Sequence, residues 1–522
     1  MKPKLLTYCT LGVLAAVAGL TLDYSLNAQN QPAQDPFVKP RGGAAADPDR
    51  DGKPGEAAPE EIVDILVQAE LIRLPQTAVT DLLVKQDIDP RDGDALRAAV
   101  DSLLNAGEAE ILETAVVRTA SRQRTRIESI TERISPTEFH PPEDMSPFHS
   151  GGPSSDPPRD SPGVAGLRPA VPLMVNGKAY WPPVAVPCPV AFEVRSLGMT
   201  LEVDPVYTPE TDMVEINLAP ELGHYAGQDT IAQCSIDDGP ATTVSVPAIS
   251  VSRVTVVSRA KAGAVQFLGI TQDRIQDRVD AAEGEFDSCI ATFARTWALK
   301  EQPPKSTGPE PGNPLVSVVI EFIDVPHVFL TDLFRQPDLQ FDSTALRLEL
   351  DPLIEEGVAK IHGTAAAVGA SGSPLRSEGS GELIYPTEYD PGEVPRYWIP
   401  AGTNAVRHWS PSTYPTPTAF ESRILGITSE ALPTVLRGGR VATVDLRPEI
   451  VRYVGDNILQ SLITPDGIVP LVEAPAFSTF GLRTQVRLPK DGCALIGAAV
   501  PMNENGERLR DRMMMVFVTA RF

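Results

Sequence analysis

His140, His149, His224, His327, His362 and His408 are the histidines of this chain. No two are four residues apart, so the paired-histidine helix of a zinc hydrolase is absent. No G-x-S-x-G elbow, P-loop or dinucleotide fingerprint supplies a nucleophile or a phosphate cradle either. His327 follows Pro326 at the end of an apolar run, but Gln76 holds the comparable place after Pro75. The start of a helix is therefore expected at His327, without catalysis. The metal candidate is "DPDRDG" at 47–52, where Asp47, Asp49, Asp51 and Gly52 fit the first half of a calcium loop. It is a weak calcium candidate, because Ala58 stands where the bidentate Glu belongs and Pro48 and Pro54 stiffen the segment. A solvated leader is the plainer reading. Cys188, Cys234, Cys289 and Cys493 have no Cys-x-x-Cys spacing, which argues against zinc. In an oxidising compartment they allow a disulfide whose pairing stays open. The residues thus lead to no enzyme, no cofactor and no metal centre.

Charge narrows the partners. Asp and Glu number 69 against 45 Lys and Arg, a net charge of −24. Nucleic acid is not expected to bind, because tracking phosphates takes clustered cations. At the N-terminus, Lys2 and Lys4 precede an apolar run from Leu5 to Leu22, and small residues follow to Ala28. Residues 1–28 read as a signal peptide, with a retained membrane anchor as the alternative. Export to the periplasm or outer membrane follows. Residues 29–60 read as a polar, disordered leader.

The chain repeats itself. "PQTAVTDLL" at 75–83 and "PHVFLTDLF" at 326–334 follow similar apolar runs. Glu70 matches Glu321 at an offset of 251, and "ISPTEF" matches "IYPTEY" at 250. "AFEVRSLGMTLE" (191–202) matches "AFESRILGITSE" (419–430), and "INLAPELGHYAG" (216–227) matches "VDLRPEIVRYVG" (444–455), both at 228. The order never changes, and the jump in offset falls in a Pro/Ser-rich stretch. Two repeats follow: 61–297, carrying an insertion at 141–190, and 314–522, joined by a proline-rich linker at 298–313.

The elements that would position these residues are mostly strands. Each repeat opens with an apolar strand ended by a proline and followed by a short helix. Met199, Leu201, Val203 and Tyr207 alternate with Thr200, Glu202 and Asp204. Val214, Ile216, Leu218 and Leu222 alternate with Glu215, Asn217 and Glu221. Period two is the half-buried strand signal, and the two arms form a hairpin. Its apolar side would face lipid or a core; Glu202, Asp204, Glu215 and Asn217 would face water. Each arm barely reaches the ~9–11 residues a membrane strand needs, with Pro205 and Pro220 interrupting. The "PTE" at Glu138 and Glu388 reads as a strand-opening turn. The fold class is mainly β with short helices (α+β), in two tandem β domains.

"IEFIDVPH", "YPTEYDP", "TAFESRILGIT", "VDLRPEI", "FST", "DG" before "LIG", and "VFVTAR" occur in that order. This order resembles the C-terminal secretin domain of type II and III secretion systems and type IV pilus machines. The variant is similar to secretin-like proteins of the Verrucomicrobia group, here tandemly duplicated and partly degenerate. The resemblance implies secretin-like β domains that self-associate into a ring or bind other envelope secretion proteins, at the outer membrane or in the periplasm. The chain would be a structural or channel-type component of an envelope secretion or pilus-like apparatus. The family's "VPxLGDxP" segment is missing before the last strand, so a degenerate periplasmic scaffold without a pore is the alternative.

Overall fold

The computed structural model describes residues 62–86, 88–140, 143–145, 173–175, 178–180, 187–235, 241–273, 288–301, 313–335, 339–395, 414–436, 438–464 and 467–522. The signal peptide, the leader and the Asp47–Asp49–Asp51 calcium candidate lie outside them.

The first repeat runs β1 (Ile62–Pro75), α1 (Gln76–Thr80) continued by a π-helical turn (Asp81–Lys85), α2 (Gly93–Ala106), β2 (Glu110–Ala120) and β3 (Thr125–His140). Three short strands follow, β4 (Glu143–Met145), β5 (Leu173–Val175) and β6 (Lys178–Tyr180). Then come β7 (Cys188–Thr208), β8 (Met213–Ser235), β9 (Ala241–Arg253), β10 (Val256–Lys261), β11 (Val265–Gln272) and β12 (Ser288–Glu301). The second repeat runs β13 (Leu315–Pro326), α3 (His327–Arg335), α4 (Thr344–Glu355), β14 (Lys360–Ala370), β15 (Leu375–Asp390) and β16 (Glu393–Pro395). It ends with β17 (Thr416–Val435), β18 (Val441–Thr464), β19 (Gly467–Pro489), β20 (Cys493–Ala499) and β21 (Arg512–Arg521). The fold is mainly β with short helices. Strand β12 runs on to Glu301 and β7 starts at Cys188, so the margins read as linker and insertion are strand.

Two large sheets stack. The first has the order β11-β12-β1-β2-β20-β21-β13-β14, and the second β10-β8-β7-β3-β19-β18-β17-β15. One face of the first sheet packs on the second through Ile65, Val67, Leu201, Ile216, Ile320, Val486 and Val518. Its other face is covered by helices. Leu96 and Val100 of α2 bury against Ile72, Leu74 and Phe293, while Leu330, Phe334 and Leu350 of α3 and α4 bury against Ile323, Met515 and Phe517. Burial on both faces explains why "MMMVFV" in β21 is a continuous apolar run rather than an alternating one.

Local rules place the helices. Pro75 closes β1 and stands directly before α1. Asp92 caps α2 by accepting from the Ala95 N–H at 3.0 Å, and Gly107, at φ 74°, ends it. Gly357, also at φ 74°, follows α4 at the matched position.

The predicted hairpin is β7–β8, paired from Gly198↔Gly223 to Thr208↔Met213. Met199, Leu201, Val203, Val214, Ile216 and Leu218 all lie in the core between the sheets. Asp204 and Glu215 are exposed, Glu202 is half-buried, and Asn217 has its Oδ1 shut off without a partner. Pro205 and Pro220 do not interrupt the arms, which span 21 and 23 residues. Pro205 O accepts from Arg122 N beyond the start of β3, and Pro220 O accepts from Val254 N in the gap between β9 and β10. Each missing N–H therefore points where no ladder bond is lost.

The "PTE" segments are bulges inside strands, not strand-opening turns. β3 shifts register on β7 between Pro136 and Glu138, and β15 shifts on β17 between Pro386 and Glu388. Other bulges recur at matched places, Tyr225/Gly227 with Tyr453/Gly455 and Phe267/Gly269 with Leu495/Gly497. Bulges bend and twist a strand, so the matched sheets share their curvature. No helix among the described residues is long and apolar enough to cross a membrane, which leaves strands untouched as a question.

Candidate functional site: the seam between the repeats

Along the strand order of each large sheet, one junction pairs a strand of the first repeat with a strand of the second. In the first sheet β2 meets β20 over Ala115↔Ala499, Val116↔Ala498 and Val117↔Gly497. In the second β3 meets β19 over eight residues, from Arg126↔Arg483 to Arg133↔Ala476. Side chains stitch the seam across the layers. Ser129 Oγ donates to Val500 O at 2.6 Å, Thr131 Oγ1 to Gly506 O at 2.8 Å, and Thr125 Oγ1 to Arg483 O at 2.8 Å.

Two charged groups are sunk into it. Arg118 Nε donates to Asp64 Oδ2 at 2.9 Å, with both side chains fully buried. Its Nη1 donates to Phe341 O at 2.7 Å and its Nη2 to Arg487 O at 3.1 Å, so one guanidinium ties β1 and β2 to the second repeat. Arg508, between β20 and β21, donates from Nη1 to Glu113 Oε1 at 2.7 Å and from Nη2 to His224 Nδ1 at 3.0 Å. Burial pushes the Glu113 carboxyl up against the opposing pull of Arg508. Burial, reinforced by Arg508, pushes His224 down to about 4. The imidazole is thus neutral, with Nδ1 accepting.

The seam joins unlike edges. β2 corresponds to β14, β20 to β11, β3 to β15, and β19 to β9 with β10. The first repeat offers β2 and β3, and the second meets them with β20 and β19. The ends of the sheets, β14 and β15 on one side and β11 and β10 on the other, are therefore the same two kinds of edge, each lacking a strand beyond it. Exposure follows the edge: Ile134 at the seam is 5% exposed, while its counterpart Ile384 on β15 is 67% exposed.

The residues singled out in the sequence are not gathered here. His327 begins α3, its N–H donating to Asp511 O and its Nε2 lying 3.2 Å from Thr114 Oγ1. Glu138 and Glu388 are exposed at their bulges. Cys188, Cys289 and Cys493 are buried and free, and burial raises their thiols to about 12, 11 and 11. No group of His, Cys, Asp or Glu able to hold a metal occurs among the described residues. The matched Glu70 and Glu321 do have a common role. Each takes an arginine from the following helix, Arg97 Nε at 3.1 Å and Arg347 Nε at 2.8 Å. Both arginines also reach an aspartate one turn on, Asp101 and Asp351.

No protein-family model and no curated protein matches this chain. Two solved structures are similar. The V. cholerae type IV competence pilus secretin PilQ, from single-particle cryoEM, is 8% identical over 89% of this chain and 61% of that one, at a TM-score of 0.18. The type II secretin GspD of enteropathogenic Escherichia coli is 11% identical over 46% of this chain and 68% of that one, at 0.15. The chain thus spans less than two thirds of the PilQ chain. Likeness at TM-scores this low carries no argument about fold or activity.

Proposed function

We propose that this chain is a structural, channel-type component of a bacterial envelope secretion or pilus-like apparatus, assembling edge to edge into a ring. One observation carries this: the seam is head-to-tail, and the sheet ends are its two unmatched halves. A heterologous contact of this kind repeats from molecule to molecule and closes into a ring when the rotation allows. Bare sheet edges otherwise invite unspecific pairing. The role is structural rather than enzymatic and needs no cofactor. Its place would be the outer membrane or the periplasm, after export.

A second reading, a periplasmic scaffold without a pore, draws support from what the free edges have lost. Leu112, Val116 and Val117 on β2 correspond to His362, Ala366 and Ala367 on β14. Ile127 and Ile130 on β3 correspond to Ser377 and Ser380 on β15. Smaller and more polar residues bury less area on pairing.

The seam's register tells the two apart. Carried over to the ends, it sets Ser250 opposite Gly381 and Ile270 opposite Ala366 of the next chain. Cysteines at Ser250 and Gly381 should oxidise into a ladder of multimers, and a pair shifted by one residue should not. Single chains throughout would leave the scaffold reading standing alone.

A further inference from the structure

Beyond the seam and the short β4–β16 pair, a further contact joins the repeats in the opposite order. At the far ends of the long hairpins, β9 of the first repeat pairs with β18 of the second over Val244↔Gln460, Thr243↔Ser461, Thr242↔Leu462 and Ala241↔Ile463. With it, β3, β19, β18, β9, β8 and β7 form an unbroken cycle of paired strands. The chain is closed on itself there, while its sheet ends stay bare at the base.

We propose that this closure is exchanged on assembly: β18 of one chain takes β9 of the next in the same register, and the lone chain is held back by serving as its own neighbour. The proposal rests on the assembly reading above. Two observations carry it. The first is order. Where one chain follows another head-to-tail, the second repeat of the first chain adjoins the first repeat of the next, as β18 adjoins β9. A contact made within a chain can pass between identical chains with little change in what it buries, as in domain swapping.

The second observation is weakness. The closure has four residue pairs against eight in the β3–β19 seam. It adds a hydrogen bond between the Thr243 and Ser461 hydroxyls at 2.9 Å and one from Gln228 Nε2 to Ile458 O at 2.8 Å. Within it, Thr242 Oγ1 and Gln460 Oε1 are buried without a hydrogen-bond partner. Buried polar atoms left unpaired oppose the closure that buries them. Opening it returns those atoms to water and frees the β9 edge.

The full chain carrying Thr243→Cys and Ser461→Cys, with Cys234→Ser to remove a neighbouring thiol, tests this. Oxidised as single chains and then placed under assembly conditions, it should remain single on sizing, and reduction should restore wild-type assembly. The two single-cysteine variants, mixed, assembled and then oxidised, should give chain-to-chain dimers on a denaturing gel. Assembly of the locked chain as complete as that of the reduced chain would overturn the exchange, as would a lack of dimers in assembled material. If the wild type itself stays single, the assembly reading falls first and the exchange falls with it.

Discussion

Arg118 and Asp64 face each other at 2.9 Å with neither side chain reaching solvent, although 54 residues separate them in the chain. Asp64 Oδ2 also accepts from Arg487 N at 3.0 Å, so the pair is shared by both repeats. Arg118→Met leaves a carboxylate buried with less compensation and should cost about 3–5 kcal/mol of stability. The double variant Arg118→Met, Asp64→Leu removes both charges and should recover much of that loss. Urea unfolding of the wild type, Arg118→Met, Asp64→Leu and the double variant checks it. Additive losses would mean that the pair does not act as a unit.

Little of that pair was visible beforehand, for a physical reason. Its counterparts in the second repeat are Val368 and Leu315, so comparing the repeats cannot pick it out. Features that depend on residues near each other in sequence were legible: the β7–β8 phase and the proline stops that end β1 and β13. Features that depend on sheet order were not. The pairing of β12 with β1 and of β3 with β19 joins segments hundreds of residues apart, and both edge types look alike in a linear pattern. Helix α2, in "DGDALRAAVDSLLNAG", carries only the local signals of the Asp92 cap and the Gly107 stop, beside the stronger strand pattern of "EILETAVV".

Gly198 and Gly426, matched in "SLGMT" and "ILGIT", have φ of 118° and 124°. An added Cβ would lie 2.3 Å from Ser129 O in one case and 2.2 Å from Gly379 O in the other. Alanine at either site should cost about 1–3 kcal/mol from backbone strain alone, and the close carbonyl adds to it. Thermal denaturation of the two variants should show similar losses. A neutral Gly198→Ala would mean that the β3–β7 spacing is looser than described.

His224 gives a pH signature. Its folded value, about 4, lies below the ordinary 6.5, first through burial and then through Arg508. The neutral ring therefore contributes stability that is present above pH 6.5 and lost as pH falls towards 4. Glu113, raised by burial, works the other way, losing its contribution as pH rises. The wild type should lose about 1–2 kcal/mol relative to His224→Gln over the window from pH 6.5 to 4, reduced by solvent screening of a half-buried ring. Urea titrations at several pH values measure it. Parallel curves for the two chains would remove His224 from the account.

Ile134 and Ile384 stand at matched positions with opposite surroundings, one closed off at the seam and the other bare on β15. A carboxylate at the first must be buried without a partner, so Ile134→Asp should cost about 3 kcal/mol or more in unfolding experiments. At the second, the same change meets water, and Ile384→Asp should leave the single chain's stability within about 0.5 kcal/mol of wild type. Assembly reverses the ranking of interest. If β15 takes the next chain as β3 takes β19, Ile384→Asp puts a charge into that contact and should abolish multimers by sizing in detergent. A variant that folds normally and still assembles like wild type would show that β15 is not a joining edge. The head-to-tail ring would then lose half of its interface.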